Sequence, residues 1–300
     1  MSNLEKTKIK VCIVTSSLGK GGAQKSSAVL SILLDSLGCE VHIVSILDTI
    51  DYVYKGTLLN LGVLKNKDDS VFGKVKRFYV FFKYLKSQKF DFIIDSRSRP
   101  TILKQFVINK LLYVNQKVIF IVHSFFLSNY IPENKFVAQF LYNKTFKFVT
   151  VSKAIKSNLV SKYQFNNVHV INNAVSQIPA NSVTDISVPA DNYILFFGRI
   201  EDSIKNLTLL IESYKRSILK DKNIRLVILG EGSDKIKLIQ KVQMMGMKSD
   251  ILFFPYTKNP YPMVRGAMFS VLTSKYEGFP TMLVESLAQG TPVISVNCQS

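Results

Sequence analysis

Arg199 follows the apolar run 193–197 after a single glycine, and Lys205, with Asn206 beside it, stands six residues further on at the start of a helical pattern. Two fixed cations at a strand end and a helix start suit a diphosphate, which they hold through charge-assisted hydrogen bonds and stabilise as it departs. Two solvated surface cations are the alternative reading of the same residues. Near the amino terminus, Gly19, Lys20, Gly21, Gly22 and Ala23 follow another apolar run, 9–15. Glycines there let the backbone approach a ligand and the next helix offer its first N–H groups to an anion, although a plain tight turn has the same composition. The loop lacks both the Gly-x-Gly-x-x-Gly spacing and a closing Gly-Lys-Ser/Thr. His123 ends the run 118–122 and is either structural or ligand-facing, whereas His42 and His169 lie inside strand-like runs and read as structural. With no Asp-x-Asp motif and no His/Cys cluster, no dedicated metal site is expected.

The elements that must position these residues alternate regularly. Apolar runs at 9–15, 41–47, 92–95, 118–122, 148–151 and 168–171 are separated by helical periodicity at 23–37, 101–113 and 153–163. Strands buried on both faces and joined by helices form parallel sheets through right-handed crossovers. A loop-like stretch at 176–192 interrupts the rhythm, which restarts with runs at 193–197, 225–229, 251–254, 269–272 and 292–296. The expected architecture is α/β, with two Rossmann-like parallel-sheet domains, 1–180 and 190–300, facing a cleft.

The segment from Thr273 to Ser295, TSKYEGFPTMLVESLAQGTPVIS, resembles the Glu-x7-Glu signature of family 4 retaining glycosyltransferases of the GT-B fold. Glu277 and Glu285 are its two glutamates, with Gly278, Phe279 and Pro280 between them and Gly290, Thr291, Pro292 and Val293 after. The resemblance runs along essentially the whole chain. Gly21, Gly22 and Ala23 match the family's amino-terminal glycine loop, Val151 and Ser152 its Val-Ser before a helix, Asn172 to Val175 its Asn-Gly-Val turn, and Gly230, Glu231 and Gly232 its loop beneath the nucleotide. It implies transfer of a hexose-type sugar from a nucleoside diphosphate, probed first as UDP, with retention at the anomeric carbon and no cofactor beyond that co-substrate. Glu277 then contacts the donor sugar, Glu285 the ribose, and His123 lies near the sugar. Arg199 and Lys205 face the diphosphate, and Gly278, Phe279, Pro280 and Thr281 form the donor loop, whose N–H groups precede a helix. Glu285 is expected two helical turns beyond Glu277 on nearly the same face.

Four departures stand out: Ala174 replaces a usual glycine, the Arg199 to Lys205 gap is one residue longer than commonest, Pro255 and Tyr256 replace a glycine near the base, and the family pattern continues past Ser300. By that last departure the second domain is expected to be truncated at its C-terminus, either as part of a longer enzyme or as a noncatalytic, donor-binding remnant or membrane-associated module.

The formal charge is +18 in 300 residues, 47% of them hydrophobic. Such a surplus calls for an acidic partner. Between Lys65 and Lys110 the basic residues, Arg97 and Arg99 included, far outnumber Asp68, Asp69, Asp91 and Asp95. Phe72, Val75, Phe78, Tyr79, Phe82 and Leu85 recur there at helical spacing, with Lys74, Lys76, Arg77, Lys83 and Lys86 between them. This basic amphipathic helix either packs on a sheet or lies against an anionic membrane. No nucleic-acid motif accompanies the lysines, which disfavours nucleic acid. The expected acceptor is therefore a glycan or a lipid-linked molecule, with a lipid-linked glycan at a membrane the leading choice and a soluble acceptor the alternative. A polar start without a signal-peptide core, three scattered cysteines and no membrane-length apolar run place the chain in the cytoplasm, peripheral at the inner face of the plasma membrane.

Overall fold

In the computed structural model the residues described are 8–19, 21–175 and 187–298. The expectations for residues 1–7, for Lys20, for 176–186 of the loop-like stretch and for the last two residues lie outside them. The chain divides into two units, 1–174 and 175–300.

Val-, Ile- and Phe-rich segments of unit 1 are apolar at consecutive positions, so they become strands covered on both sides. In chain order the elements are β1 (Lys10–Thr15), α1 (Gly22–Ser36), β2 (Glu40–Ser45), β3 (Thr57–Asn60), α2 (Leu61–Lys67), α3 (Val71–Gln88), β4 (Phe92–Asp95) and α4 (Ile102–Val107). A π-helical turn at Ile108–Leu112, then β5 (Val118–Val122), α5 (Lys135–Tyr142), β6 (Lys147–Thr150), α6 (Lys153–Tyr163) and β7 (Val168–Val170) complete the unit. Among the described residues its strands form one parallel sheet in the order β3-β2-β1-β4-β5-β6-β7.

Register divides the two faces of this sheet. Cys12 stands beside His42 and Ile93, and Ile93 beside Val118, so these residues and Phe120 share one face. That face is covered by α3, whose Tyr84 hydroxyl meets His42 Nδ1 at 2.5 Å, and by Tyr113 and the α5 residue Tyr142, whose rings lie 6.2 and 5.1 Å from Phe120. The opposite face, with Ile13, Val41 and Ile43, packs on Ala28 of α1.

Two expectations need correction here. The helical stretch at 101–113 is α4 followed by the π turn, closed by the Tyr113 N–H donating to the Ile108 carbonyl at 2.9 Å. Arg97 and Arg99 are not part of a solvated basic surface. Both are buried against Asp95, at 2.6 and 3.1 Å, beneath the helices. Burial pushes the Asp95 carboxyl up, but Arg97 and then Arg99 outweigh it and hold it at about 2. The α3 pattern also divides: Phe81 and Leu85 face the core, Phe78 and Phe82 are half-buried, and Phe72, Val75 and Tyr79 are exposed.

Unit 2 contains β8 (Tyr193–Phe197), α7 (Asp202–Lys205), α8 (Leu207–Arg216), β9 (Arg225–Leu229), α9 (Lys235–Met244), β10 (Ile251–Phe254), α10 (Tyr261–Gly266), β11 (Ser270–Leu272), α11 (Thr281–Ala288) and β12 (Val293–Ser295). Its parallel order is β10-β9-β8-β11-β12. The chain therefore winds one way from β8 and the other way from β11, and a ligand crevice belongs at the carboxyl ends of these neighbours.

Candidate functional site

Arg199 leaves β8 on a loop set by backbone contacts. The N–H of Gly198 donates to the Leu229 carbonyl at 3.0 Å and that of Ile200 to the Glu231 carbonyl at 2.8 Å. The loop after β9 runs so close beneath that a Cβ on Gly230 would stand 1.9 Å from the Gly198 carbonyl oxygen, and one on Gly232 2.0 Å from that of Ile200. These two glycines are thus required by loop-on-loop packing inside the protein. Gly230 also has a φ of +149°, which L side chains rarely adopt. Lys235 adds a cation that sequence reasoning missed, its Nζ donating to the carbonyls of Gly230 and Phe254 and to Glu231 Oε1 at 2.7 Å.

The short α7 ends at Asn206, φ 50°, and is stitched to the segment after β11. The Thr273 hydroxyl lies 3.0 and 3.1 Å from the carbonyls of Lys205 and Asn206, and the Lys275 N–H donates to the Ile204 carbonyl at 2.9 Å. This stitching brings Lys205 Nζ within 2.5 Å of Glu277 Oε1, the same oxygen that accepts from the Ser274 hydroxyl at 2.6 Å. Both side chains are largely buried. A carboxylate therefore already balances Lys205. Arg199 differs, with 69% of its side chain exposed and, among the described residues, only Glu201 as an ion-pair partner, at 3.1 Å. Cys298 also belongs to this neighbourhood. Burial and then the Glu277 carboxylate push its thiol up, while Lys205 opposes them.

The two signature glutamates do not share one helix. Because α11 begins at Thr281, Glu277 sits four residues before it in a loop, and the two-turn spacing expected for Glu285 is corrected accordingly. Glu285 is buried on α11, next to Ser286, whose hydroxyl donates to Ser270 Oγ of β11 at 2.7 Å. Gly278, Phe279 and Pro280 are half-buried, and the Thr281 N–H is taken by the Phe279 carbonyl at 2.9 Å. Ser274 lies inside the quoted motif, but nothing in its residue type marked it as the second partner of Glu277.

Unit 1 holds the remaining candidates. Gly21 caps α1 with a φ of 142°, and its N–H donates to the Tyr52 hydroxyl at 3.2 Å, so this amide is not waiting for an anion. Gly22 is the first residue of α1. Asn173 accepts from Ser26 of the same helix at 3.0 Å, tying the end of the unit to the glycine loop. His123 is half-buried, with both ring nitrogens buried and without a hydrogen-bond partner among the described residues. Burial pushes its pKa down to about 4, which keeps the ring neutral. Among the described residues no group of three or more His, Cys, Asp or Glu converges as metal ligands would.

The fold has counterparts among known proteins. The sequence model of Glycosyltransferase Family 4 matches residues 20–177, and that of Glycosyl transferases group 1 matches 184–300. The Campylobacter jejuni N-acetylgalactosamine-N,N'-diacetylbacillosaminyl-diphospho-undecaprenol 4-alpha-N-acetylgalactosaminyltransferase is 29% identical over 97% of this chain and 81% of its own. The amylovoran biosynthesis glycosyltransferase AmsD of Erwinia amylovora is 22% identical over 93% of this chain and 78% of its own. Among solved structures, S. aureus TarM superposes with a TM-score of 0.75 at 13% identity, covering 97% of this chain and 86% of that one. Anabaena HepE, solved with UDP and glucose, gives 0.72 at 14% identity over 97% and 81%. Two parallel-sheet units, a match over more than half the chain and relatives spanning nearly all of it agree: this chain is a glycosyltransferase of the GT-B fold and belongs to glycosyltransferase family 4.

Proposed function

We propose that the chain transfers a hexose-type sugar from a UDP-linked donor to a lipid-linked glycan at the cytoplasmic face of a membrane, with retention of anomeric configuration. The observation that carries this reading is the cluster of Lys205, Glu277 and Ser274 at the carboxyl ends of β8 and β11. A sugar hydroxyl donating to Glu277 competes with Lys205 for that carboxylate and frees the ammonium to turn towards the departing phosphate. Arg199, exposed beside it, spans the diphosphate as a planar fork. Retention follows when the acceptor oxygen attacks from the leaving-group side. The bond from the anomeric carbon to the phosphate oxygen breaks, the glycosidic bond forms, and the acceptor proton passes to the released phosphate. His123, neutral and with unpartnered nitrogens, is suited to a sugar hydroxyl.

Two comparisons support the substrate classes. The Campylobacter relative's name describes a diphospho-undecaprenol acceptor, and the HepE structure contains UDP. The test incubates the full chain with a panel of UDP-sugars and an undecaprenyl-diphosphate glycan, measuring UDP release and the anomeric coupling of the product. Release dependent on acceptor, with an α product from an α donor, is expected. A β product overturns retention, and no release from any UDP-sugar overturns the donor.

A further inference from the structure

Unit 1 carries 25 Lys and Arg against 10 Asp and Glu, a net +15 of the chain's +18. Its outer helices leave large apolar side chains uncovered on the same side of the molecule. α3, α4 with the π turn, and α5 all cover the sheet face that carries His42 and Phe120. Leu103 and Phe106 of α4, Leu111 of the π turn, and Phe136 and Phe140 of α5 are exposed, Leu103 at 71% and Phe136 at 78%. The wide π turn achieves this locally: Leu112 and Tyr113 are buried, while Leu111 just before them stays exposed.

The two helical segments form one surface. Lys110 donates to the Phe140 carbonyl at 2.7 Å and to Asn143 at 3.3 Å, and its ammonium lies 4.4 Å from the centre of the Phe140 ring. Around these aromatics the stretch 101–146 carries Lys104, Lys110, Lys117, Lys135 and Lys144 against Glu133 as its one acid.

An apolar centre with a cationic margin matches the boundary between acyl chains and anionic headgroups. A second copy of this chain fits badly, because an isologous contact would set each lysine margin against its own image. A nucleic acid offers phosphates to the lysines and nothing to the exposed Leu103, Phe136 and Phe140. We propose that α4, the π turn and α5 form a membrane-docking face, which seats Leu103, Phe106, Leu111, Phe136 and Phe140 among anionic lipid headgroups. Its purpose rests on the lipid-linked acceptor proposed above, whereas the docking itself is measured without any substrate.

The test is co-sedimentation of the full chain with phosphatidylcholine vesicles of graded phosphatidylglycerol content, beside a generic DNA duplex, with UDP affinity followed by calorimetry. The variants are Leu103→Ser/Phe136→Ser/Phe140→Ser and Lys104→Glu/Lys135→Glu/Lys144→Glu, at exposed positions apart from the half-buried Lys135, and checked by thermal melting. The wild type is expected to partition more strongly as anionic lipid rises, and each triple variant to lose roughly tenfold or more while keeping its UDP affinity. Phe72→Ser/Tyr79→Ser on α3 serves as the comparison and is expected to lose less. Failure of the wild type to sediment with any vesicle overturns the proposal, as does full binding by the apolar triple. Duplex binding insensitive to the apolar triple, without vesicle binding, assigns the face to nucleic acid instead. A dimer that the apolar triple dissolves, again without vesicle binding, assigns it to a second copy. Vesicle binding without UDP binding leaves the docking face standing and removes the donor reading.

Discussion

Lys205 and Glu277 form a largely buried pair whose members depend on each other, whereas Arg199 is largely exposed and paired with Glu201. Arg199→Ala is therefore expected to weaken UDP binding by about 1.5–3 kcal/mol, the worth of a charged hydrogen bond, without lowering the melting temperature. Lys205→Ala is expected to lower both, since it strands Glu277 with only Ser274. Calorimetry and melting curves on the two variants separate these outcomes, and equal melting losses would remove the distinction. His123 gives a second prediction at this scale. Its folded pKa is about 4 against an ordinary 6.5, so between these values the unfolded chain takes up a proton that the folded chain refuses. Stability then falls as pH drops from 6.5 towards 4, and His123→Gln should flatten that part of the curve. Urea midpoints at pH 7, 5.5 and 4.5 measure it. Arg199, Lys205 and Glu277 were all singled out from the sequence, Arg199 at a strand end, Lys205 at a helix start and Glu277 from a family motif. Their pairing was not, because Lys205 and Glu277 are 72 residues apart and meet only through the stitching of α7 to the segment after β11.

Among the elements, strands apolar at consecutive positions were read almost to the residue, as at β4, β5 and β8. β3 escaped because its four residues begin with an exposed Thr57 and are otherwise half-buried, so no apolar run marks them. α5 escaped for the opposite reason. Its KFVAQFLY is apolar at the packed Ala138, Leu141 and Tyr142 and also at the exposed Phe136 and Phe140, and its 8 residues fall short of the window over which helical periodicity is read. Arg97 and Arg99 misled because the residue types of buried and solvated cations are identical, and only the helices above Asp95 distinguish them. The loops after β8 and β9 yield a prediction. Gly230→Ala adds a methyl group that must displace the Gly198 carbonyl, in a backbone conformation L residues avoid. Unit 2 should be destabilised by about 1–3 kcal/mol or more, and UDP affinity should fall with it because the loop carries Arg199 moves. Gly246→Ala, where φ is +69° but nothing stands within 4 Å, is the control and should cost less and leave UDP affinity intact.

At the scale of the whole molecule the charge is divided unevenly, +15 in unit 1 and +3 in unit 2. Turnover of a vesicle-borne acceptor is therefore expected to fall as salt rises, because surface attraction is screened over about 8–10 Å at physiological ionic strength. Turnover of a detergent-dispersed acceptor should change far less, and parallel loss in both assays would locate the salt effect in the active site. The same asymmetry acts before any contact is made. A body whose charge is spread evenly approaches an anionic sheet in every orientation alike, but this chain experiences a torque, because its two units are pulled unequally by the same field. On the docking proposed above, orientation is selected during the approach rather than corrected after collision, and the search for an acceptor continues in two dimensions instead of three.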